Sequence, residues 1–240
     1  SPSTRLVSQT HHAFNERKNL VFEFDKSFEA SEFFTIPMAA TFGLFLATPY
    51  TENDVTIPQD SLLALTSVEI NLNDVENQDG YYTVKGTFPE VPIDGDFYIK
   101  EMETSTPYML NEDNLEISYS FEDTDTQSTV VTYQEPIIND VIRKEVEIFK
   151  FEMGNGKPIE GTEFQLVAVD EVKGEQVVGT YLTNEEGYIL VENLEPGDYY
   201  LKETKASAGY FGREGQLNFQ LDNNGEESTS FNLDNEKIPS

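Results

Sequence analysis

The sequence predicts an all-β protein built from two tandem antiparallel β-sandwich domains. Three observations lead to this prediction: apolar and polar residues mostly alternate, turn dipeptides separate the alternating runs, and parts of the first half of the chain recur in the second. Alternation with a period of two places successive side chains on opposite faces of a strand. Turn signals such as Asn155-Gly156 and Pro196-Gly197 bound the runs. Many short strands at this spacing are typical of sandwiches.

The composition bounds the function. The chain has 240 residues, enough for two domains, and its 45 acidic and 15 basic side chains give a net charge of −30. A phosphate backbone or an anionic membrane would repel such a chain, so nucleic acid is not an expected partner. The chain has no run of about 18 apolar residues that could span a bilayer. It also has no cysteine, which excludes disulfides, thiolate metal sites and cysteine nucleophiles.

Individual strands can be placed from the alternation. The runs that predict strands are 20–26, 97–101, 115–121, 146–150 and 217–221. Segment 61–73 reads as irregular or as a strand, and no long amphipathic helix is predicted. Hydrophobic residues make up 38% of the chain and aromatic residues 12%, enough for a packed core, so the acidity describes a solvated surface and not a disordered chain.

An internal repeat divides the chain. The heptapeptide GDFYIKE at 95–101 returns as GDYYLKE at 197–203, and a tyrosine follows each final glutamate by seven residues, at Tyr108 and Tyr210. Upstream, 41–44 corresponds to 163–166, and 79–81 corresponds to 186–188. The repeat predicts a first domain at 16–142 and a second at 143–240. The first is longer, chiefly through insertions at 50–60 and 88–92.

Residues 1–15 precede the first copy. Asn15 lies eleven residues before Lys26, as Asn139 lies eleven residues before Lys150, and Asn15-Glu16 repeats the dipeptide at 235–236. These residues are therefore either a leader or the tail of a further upstream repeat. The adjacent His11 and His12 stand alone, and a metal site there is not expected.

Each copy places a lysine, a glutamate and an asparagine where the alternation points inward. Shared parity with apolar neighbours predicts a shared face in the core, and a buried polar side chain is costly unless it is paired. Lys18 is an alternative to the first lysine. Asn232 is an alternative to the last asparagine, although its parity points outward. The predicted sets are Lys26, Glu101 and Asn139 in the first copy and Lys150, Glu203 and Asn235 in the second.

At these residues the sequence resembles a known family, the Cna protein B-type or SpaA-like domains of Gram-positive surface adhesins and pilins. The family signature reads Tyr-x-Leu-x-Glu-Thr-x-Ala-Pro-x-Gly-Tyr. Residues 199–210 match it at seven positions, with Ser207 in place of the proline. The first copy keeps Glu101 and Tyr108 and has Pro107 in place of the glycine. The resemblance implies immunoglobulin-like or prealbumin-like sandwiches.

The resemblance also implies a spontaneous isopeptide bond between lysine and asparagine in each copy, assisted by the glutamate. Physical chemistry supports such a reaction, because burial disfavours the ammonium form of a lysine and frees its lone pair for attack. A buried, protonated glutamate can polarise the amide carbonyl and relay the proton. The implied roles are nucleophile for Lys26 and Lys150, proton relay for Glu101 and Glu203, and electrophile for Asn139 and Asn235.

The function expected from this resemblance is a structural stalk on a Gram-positive cell surface. The expected partners are neighbouring repeats of the same surface protein, with the fragment itself monomeric. An alternative is a ligand-binding adhesin module that recognises a host matrix protein or glycan through its loops, for which the insertion at 50–60 is the best support. We expect no turnover enzyme, no cofactor and no metal. The acidic clusters at 112–114 and 123–125 could bind calcium but lack a fixed loop pattern, which favours solvated turns.

Overall fold

The computed structural model describes residues 17–125 and 127–240, and in these ranges the chain is all-β. The predicted fold class is confirmed. The predictions for residues 1–15, including the pair His11 and His12, lie outside the described residues. No helical segment in the described ranges has the length and apolar character needed to cross a bilayer.

Among the described residues, ten strands precede residue 140. They are β1 (Asn19–Glu29), β2 (Ala39–Leu46), β3 (Tyr50–Glu52), β4 (Val55–Ile57), β5 (Leu62–Glu69), β6 (Tyr81–Thr87), β7 (Gly95–Thr104), β8 (Leu115–Tyr119), β9 (Ser128–Thr132) and β10 (Ile137–Asn139). One sheet has the order β10-β1-β6, with β9 also pairing β1, and the other has the order β5-β2-β7-β8. Both β9 and β10 run parallel to β1.

Seven strands follow. They are β11 (Lys144–Glu152), β12 (Glu163–Asp170), β13 (Gly174–Leu182), β14 (Tyr188–Leu194), β15 (Gly197–Lys205), β16 (Leu217–Leu221) and β17 (Ser228–Asn235). The sheet β14-β11-β17 faces the sheet β13-β12-β15-β16, and β17 runs parallel to β11. We call β1–β10 the first sandwich and β11–β17 the second.

Each sandwich encloses its own core, and the alternation explains which side chains fill it. In β1, Phe22 and Phe24 are fully buried together with Lys26, as their shared parity predicts. In β11, Val146 and Ile148 are buried in the same way. The strands that carry the candidate lysines are therefore central, with a pairing strand on either side and the facing sheet above them.

The register of the facing sheets supports one of the repeat correspondences. Phe42 lies opposite Glu101 in the first sandwich, and Phe164 lies opposite Glu203 in the second, so 41–44 and 163–166 occupy equivalent places. The correspondence of 79–81 with 186–188 does not hold in register. Tyr81 pairs with the residue three positions after the first lysine, whereas Tyr188 pairs with the residue just before the second. The connections differ in length there, so similar turns sit at shifted positions.

The extra length of the first copy adds a small hairpin. Strands β3 and β4 pair with each other as a two-stranded sheet and follow β2 and precede β5 in the chain. Tyr50 and Ile57 from this hairpin pack against the first core. Segment 61–73, which the sequence left ambiguous, contains strand β5 and then turns after Ile70.

The segment between β1 and β2 reaches across to the second sandwich. Phe34 belongs to the second core and is only 6% exposed. The hydroxyl of Ser31 and the backbone N–H of Glu32 both donate to the carboxylate of Glu195, and the backbone N–H and hydroxyl of Thr35 donate to Asp170. We call residues 30–38 the joint segment.

Candidate functional site

In the second sandwich the three predicted residues come together between the two sheets. Lys150 is on the central strand β11, and Asn235 ends the neighbouring strand β17. Glu203 projects from β15 in the facing sheet. The residue in register with Asn235 is Glu152, two positions after the lysine. Because alternate residues of a strand share a face, Lys150 and Asn235 point into the same core.

The contacts link all three side chains. Lys150 Nζ lies 2.7 Å from Asn235 Oδ1 and 3.0 Å from Glu203 Oε2. The Asn235 amide nitrogen donates to the other carboxylate oxygen, Oε1, at 2.7 Å. Since Oδ1 is one bond from Cγ, the amine lies beside the carbon that a nucleophile would attack. Glu203 touches both the amine and the amide nitrogen, so it can carry a proton from one to the other.

Burial sets the electrostatics of this site. The side chains of Lys150 and Glu203 are 0% and 1% exposed. Desolvation lowers the pKa of Lys150, and the hydrogen bond and charge of Glu203 oppose that shift. The Phe164 ring lies 5.5 Å from Nζ. The apolar surroundings therefore shift the balance towards the uncharged amine, the form that can act as a nucleophile.

In the first sandwich the same residue types meet with different contacts. Lys26 Nζ lies 3.5 Å from Glu101 Oε1 and donates to the backbone carbonyls of Ile137 and Ser27. The Asn139 amide nitrogen donates to Glu101 Oε1 at 2.8 Å. Burial lowers the pKa of Lys26 to about 8, against the opposing effect of Glu101. The uncharged, nucleophilic form of this amine is therefore easier to reach than in an exposed lysine, but the amine faces backbone carbonyls.

The Asn139 carbonyl is the unpaired atom of this arrangement. Its Oδ1 is buried and has no hydrogen-bond partner among the described residues, while its Nδ2 also donates to Thr104 at 2.8 Å. A buried acceptor without a donor is energetically costly. A protonated Glu101 beside it could supply the missing donor, which is the polarisation that the amide reaction requires.

The alternative residues lie elsewhere. Lys18 lies just before β1, eight residues before Lys26. Its amine donates to the backbone carbonyl of Glu122. Asn232 is exposed, as its parity predicts. Asp125, in one acidic cluster, accepts hydrogen bonds from Tyr119 and from the Glu122 backbone, and it joins no group of three or more potential metal ligands in the described ranges.

Sequence reasoning missed two contacts of the first site. Thr104 and the backbone N–H of Asn111 hold Asn139 and Glu101 respectively. Thr104 follows Glu101 by three residues, where the second copy has Ala206. The sequence shows this difference, but only the fold shows that the hydroxyl reaches the asparagine.

One family model matches the second sandwich. Residues 144–237 match the model of the SpaA prealbumin-like fold domain, which confirms the resemblance read from residues 199–210. No curated protein sequence matches the chain.

Three solved structures are similar to this chain, and the first of them shows the same fold. The Bacillus anthracis TIE protein is 18% identical with a TM-score of 0.61, over 92% of this chain and 35% of that protein. The chain therefore spans about a third of the length of that protein. A streptococcal ancillary pilin is 17% identical with a TM-score of 0.40, over 91% of this chain and 70% of that one. The minor pilin GBS52 of Streptococcus agalactiae is 16% identical with a TM-score of 0.36, over 93% of this chain and 97% of that one.

Proposed function

From the premise that residues 144–237 form a SpaA prealbumin-like domain, we propose that the chain is a structural stalk segment of a Gram-positive cell-surface adhesin or pilin. It consists of two tandem domains, 16–142 and 143–240. Internal isopeptide bonds join Lys26 to Asn139 and Lys150 to Asn235. Its partners are neighbouring domains of the same surface protein.

The proposed reaction balances without any external reagent. The uncharged Nζ of the lysine attacks Cγ of the asparagine, while the protonated glutamate hydrogen bonds to the amide carbonyl. The carboxyl group then relays a proton from the attacking nitrogen to Nδ2, the bond from Cγ to Nδ2 breaks, and ammonia leaves. Each site reacts once, so the chain modifies itself and is not a turnover enzyme. Because the fold holds the reactants in contact, a high effective concentration replaces an external catalyst.

One observation carries this proposal. In the second sandwich a buried amine lies 2.7 Å from the amide oxygen, and one carboxylate contacts both the amine and the amide nitrogen. An ordinary structural ion pair would need only the lysine and the glutamate. The amide between them is the reactant that makes the set chemically competent.

The bonds would give the chain a covalent load path. The strands β1 and β10 pair in parallel, as do β11 and β17, so each bond would join the first strand of a sandwich to the last. Pulling force would then run through β1, across the first bond, along 139–150 and across the second. The rest of each sandwich would lie outside that path, which suits a shaft under tension.

Intact mass under denaturing conditions tests the proposal. Each bond removes one ammonia, about 17 Da, so two bonds remove about 34 Da, and peptide mapping places them. Lys150→Ala should abolish the loss in the second copy, whereas Asn232→Ala, on the exposed face of the same strand as Asn235, should keep it. A wild-type mass equal to that of the sequence would exclude the covalent mechanism.

A ligand-binding adhesin module is the second candidate, favoured by a cleft beside the inserted hairpin. The cleft, about 270 Å³ in volume, is lined by apolar side chains that include Tyr50, Ile57 and Ile93, with Arg17 and Glu90 at its edge. Its test is binding of the chain to immobilised matrix proteins or glycans, with Ile57→Asp as the variant that should lose it. Equal binding by wild type and Ile57→Asp, or no binding by either, would count against this candidate.

A further inference from the structure

In each sandwich a short segment follows the strand that carries Glu101 or Glu203, which we call the glutamate strand. This segment hydrogen bonds to the end of the strand that carries Asn139 or Asn235, which we call the asparagine strand. In the first sandwich, the backbone N–H of Met109 donates to Asp140 and that of Ile142 donates to Pro107. In the second, the backbone N–H of Phe211 donates to the backbone carbonyl of Glu236, and the backbone N–H of Ile238 donates to the backbone carbonyl of Gly209. In each copy the two hydrogen bonds lie on either side of one tyrosine. This tyrosine forms an isolated β-bridge with the residue two positions after the asparagine.

The tyrosines are Tyr108 and Tyr210, and their hydroxyls fasten the lysine strand as well. Tyr108 donates to the backbone carbonyl of Glu29 at 2.8 Å, and Tyr210 donates to the carboxylate of Glu152 at 2.7 Å. Glu29 and Glu152 end β1 and β11, just beyond the lysines. Each tyrosine therefore follows the glutamate strand and contacts both of the other strands that carry a reacting residue.

Each tyrosine also contacts the residue that lies in register with the asparagine on the strand that carries the lysine. Phe28 is in register with Asn139, and the Tyr108 ring packs edge-on against it at 5.1 Å between centroids. In the second sandwich the residue in register with Asn235 is Glu152, the hydroxyl's own acceptor. Two copies with different side chains thus make the same connection.

We propose that Tyr108 and Tyr210 are positioning residues for the crosslinking reaction, holding the lysine, glutamate and asparagine strands in the alignment that lets the amine reach the amide. This inference rests on the proposed function. The tyrosines touch none of the reacting atoms and act through the backbone around them. A difference of about 1 Å in the approach of reacting groups costs large factors in rate, so a fastening at this point controls the reaction.

The hydroxyls remain donors through the neutral pH range. Burial raises the pKa of Tyr108, and the hydrogen bond to Glu152 raises the pKa of Tyr210. The same bond is the largest cause that lowers the pKa of Glu152. A neutral phenol that donates to a carboxylate is a charge-assisted bond, stronger than a bond between neutral groups.

The test is the rate of bond formation in Tyr210→Phe. Unreacted chain recovered from inclusion bodies in denaturant is refolded by dilution, and the loss of about 17 Da is followed by mass spectrometry with peptide mapping. Loss of one charge-assisted hydrogen bond should slow the second bond about tenfold or more. The matched control is Tyr188→Phe, which removes a hydroxyl that donates to Glu147 on the same strand, away from the asparagine.

A role in stability alone would give a different result. In a Lys150→Ala background, which cannot form the second bond, Tyr210→Phe and Tyr188→Phe should lower the unfolding midpoint similarly, while only the former slows the reaction in the parent chain. Equal rates in the two variants would overturn the inference and leave the proposed function intact. No mass loss in the wild type would overturn both. If Tyr210→Phe fails to refold by circular dichroism, the same comparison is made in the first copy, between Tyr108→Phe and Tyr119→Phe, whose hydroxyl donates to Asp125, away from the asparagine.

Discussion

The Phe34 ring lies 5.4 Å from the Tyr199 ring, centroid to centroid and nearly perpendicular to it, although the two residues belong to different sandwiches. Phe34 comes from the joint segment, and Tyr199 is on β15 of the second sandwich. An edge-to-face pair buried in this way adds to the free energy gained by burying the ring. A residue of the joint segment therefore completes the core of the second sandwich.

Phe34→Ala tests the energy of this contact. Truncating a buried phenylalanine costs about 3–5 kcal/mol, and here the loss should fall on the second sandwich, whose core the ring occupies. Calorimetry should show a lowered transition for that sandwich. Phe211→Ala is the control, since that ring is 51% exposed and its removal should shift stability by about 0.5 kcal/mol or less. Similar effects of the two substitutions would refute the contribution of Phe34 to the second core.

Gly197→Ala tests the same contact from the other side. A Cβ at Gly197 would lie 2.4 Å from the Phe34 ring, so the ring must shift. Overpacking of this kind costs about 1–3 kcal/mol. Gly95→Ala is the matched control, because Gly95 also has a positive φ and a Cβ there would meet nothing within 4 Å, so only the backbone strain remains. Gly197→Ala should therefore lose more stability than Gly95→Ala in the same denaturation assay. If Gly197→Ala is as stable as wild type, the ring is not held as described.

The joint should weaken in acid. Burial raises the pKa of Asp170, but hydrogen bonds from the backbone of Lys173, Thr35 and Val172 and from the Thr35 hydroxyl lower it more, to about 2. A carboxyl group whose pKa is depressed in the folded state contributes stability above its unfolded value of 3.8, and that contribution is lost as the pH falls towards 2.

Urea denaturation at a series of pH values checks this dependence. Between pH 4 and pH 2, wild type should lose more stability than Asp170→Asn, which has no proton to take up. The Asp222→Asn variant is the control and should follow wild type, because the Asp222 carboxylate accepts only a long hydrogen bond at 3.5 Å. Parallel curves for wild type and Asp170→Asn would contradict the assignment.

The second crosslink should dominate the stability of its sandwich. The bond between Lys150 and Asn235 would close a loop of 235 − 150 = 85 positions. The loop-entropy relation for disulfides gives roughly 4–5 kcal/mol for a loop of this size. Asn235→Ala should lose about that much in unfolding free energy, whereas Asn232→Ala should lose little. A small loss in Asn235→Ala would mean that the uncrosslinked fold is already sufficient.

The two copies should react in order, the second first. Both lysines donate to a backbone carbonyl, but Lys150 also contacts the asparagine carbonyl oxygen. Lys26 donates to two backbone carbonyls instead and must turn towards Asn139, whose Oδ1 has no hydrogen-bond partner among the described residues. Peptide mapping at successive times after refolding should show the bond to Asn235 before the bond to Asn139. The opposite order would indicate that the orientation of the amine does not limit the rate.

Much of this site could be predicted from sequence because it depends on parity. Lys26, Lys150 and Asn235 alternate with apolar residues on short strands, and a strand has only two faces. Once the neighbours enter the core, the polar residue must enter it too, and it then requires a partner. The internal repeat indicated which residues act together, because the same three residue types occur in the same order twice.

The alternation along a strand does not predict contacts between segments that are distant in the sequence. Thr104 and Asn111 hold the first site through the path of a strand end and a turn, and the shifted registers of Tyr81 and Tyr188 follow from connection lengths that no local pattern encodes.

The sequence by itself therefore determined the fold class and the buried lysine, glutamate and asparagine of each copy, because strand alternation is a local property of the chain. The tertiary structure alone decided that Phe34 enters the second core and that each tyrosine of the repeat fastens three strands. Those contacts depend on where whole sheets meet, and that position is set by the packing of many side chains at once.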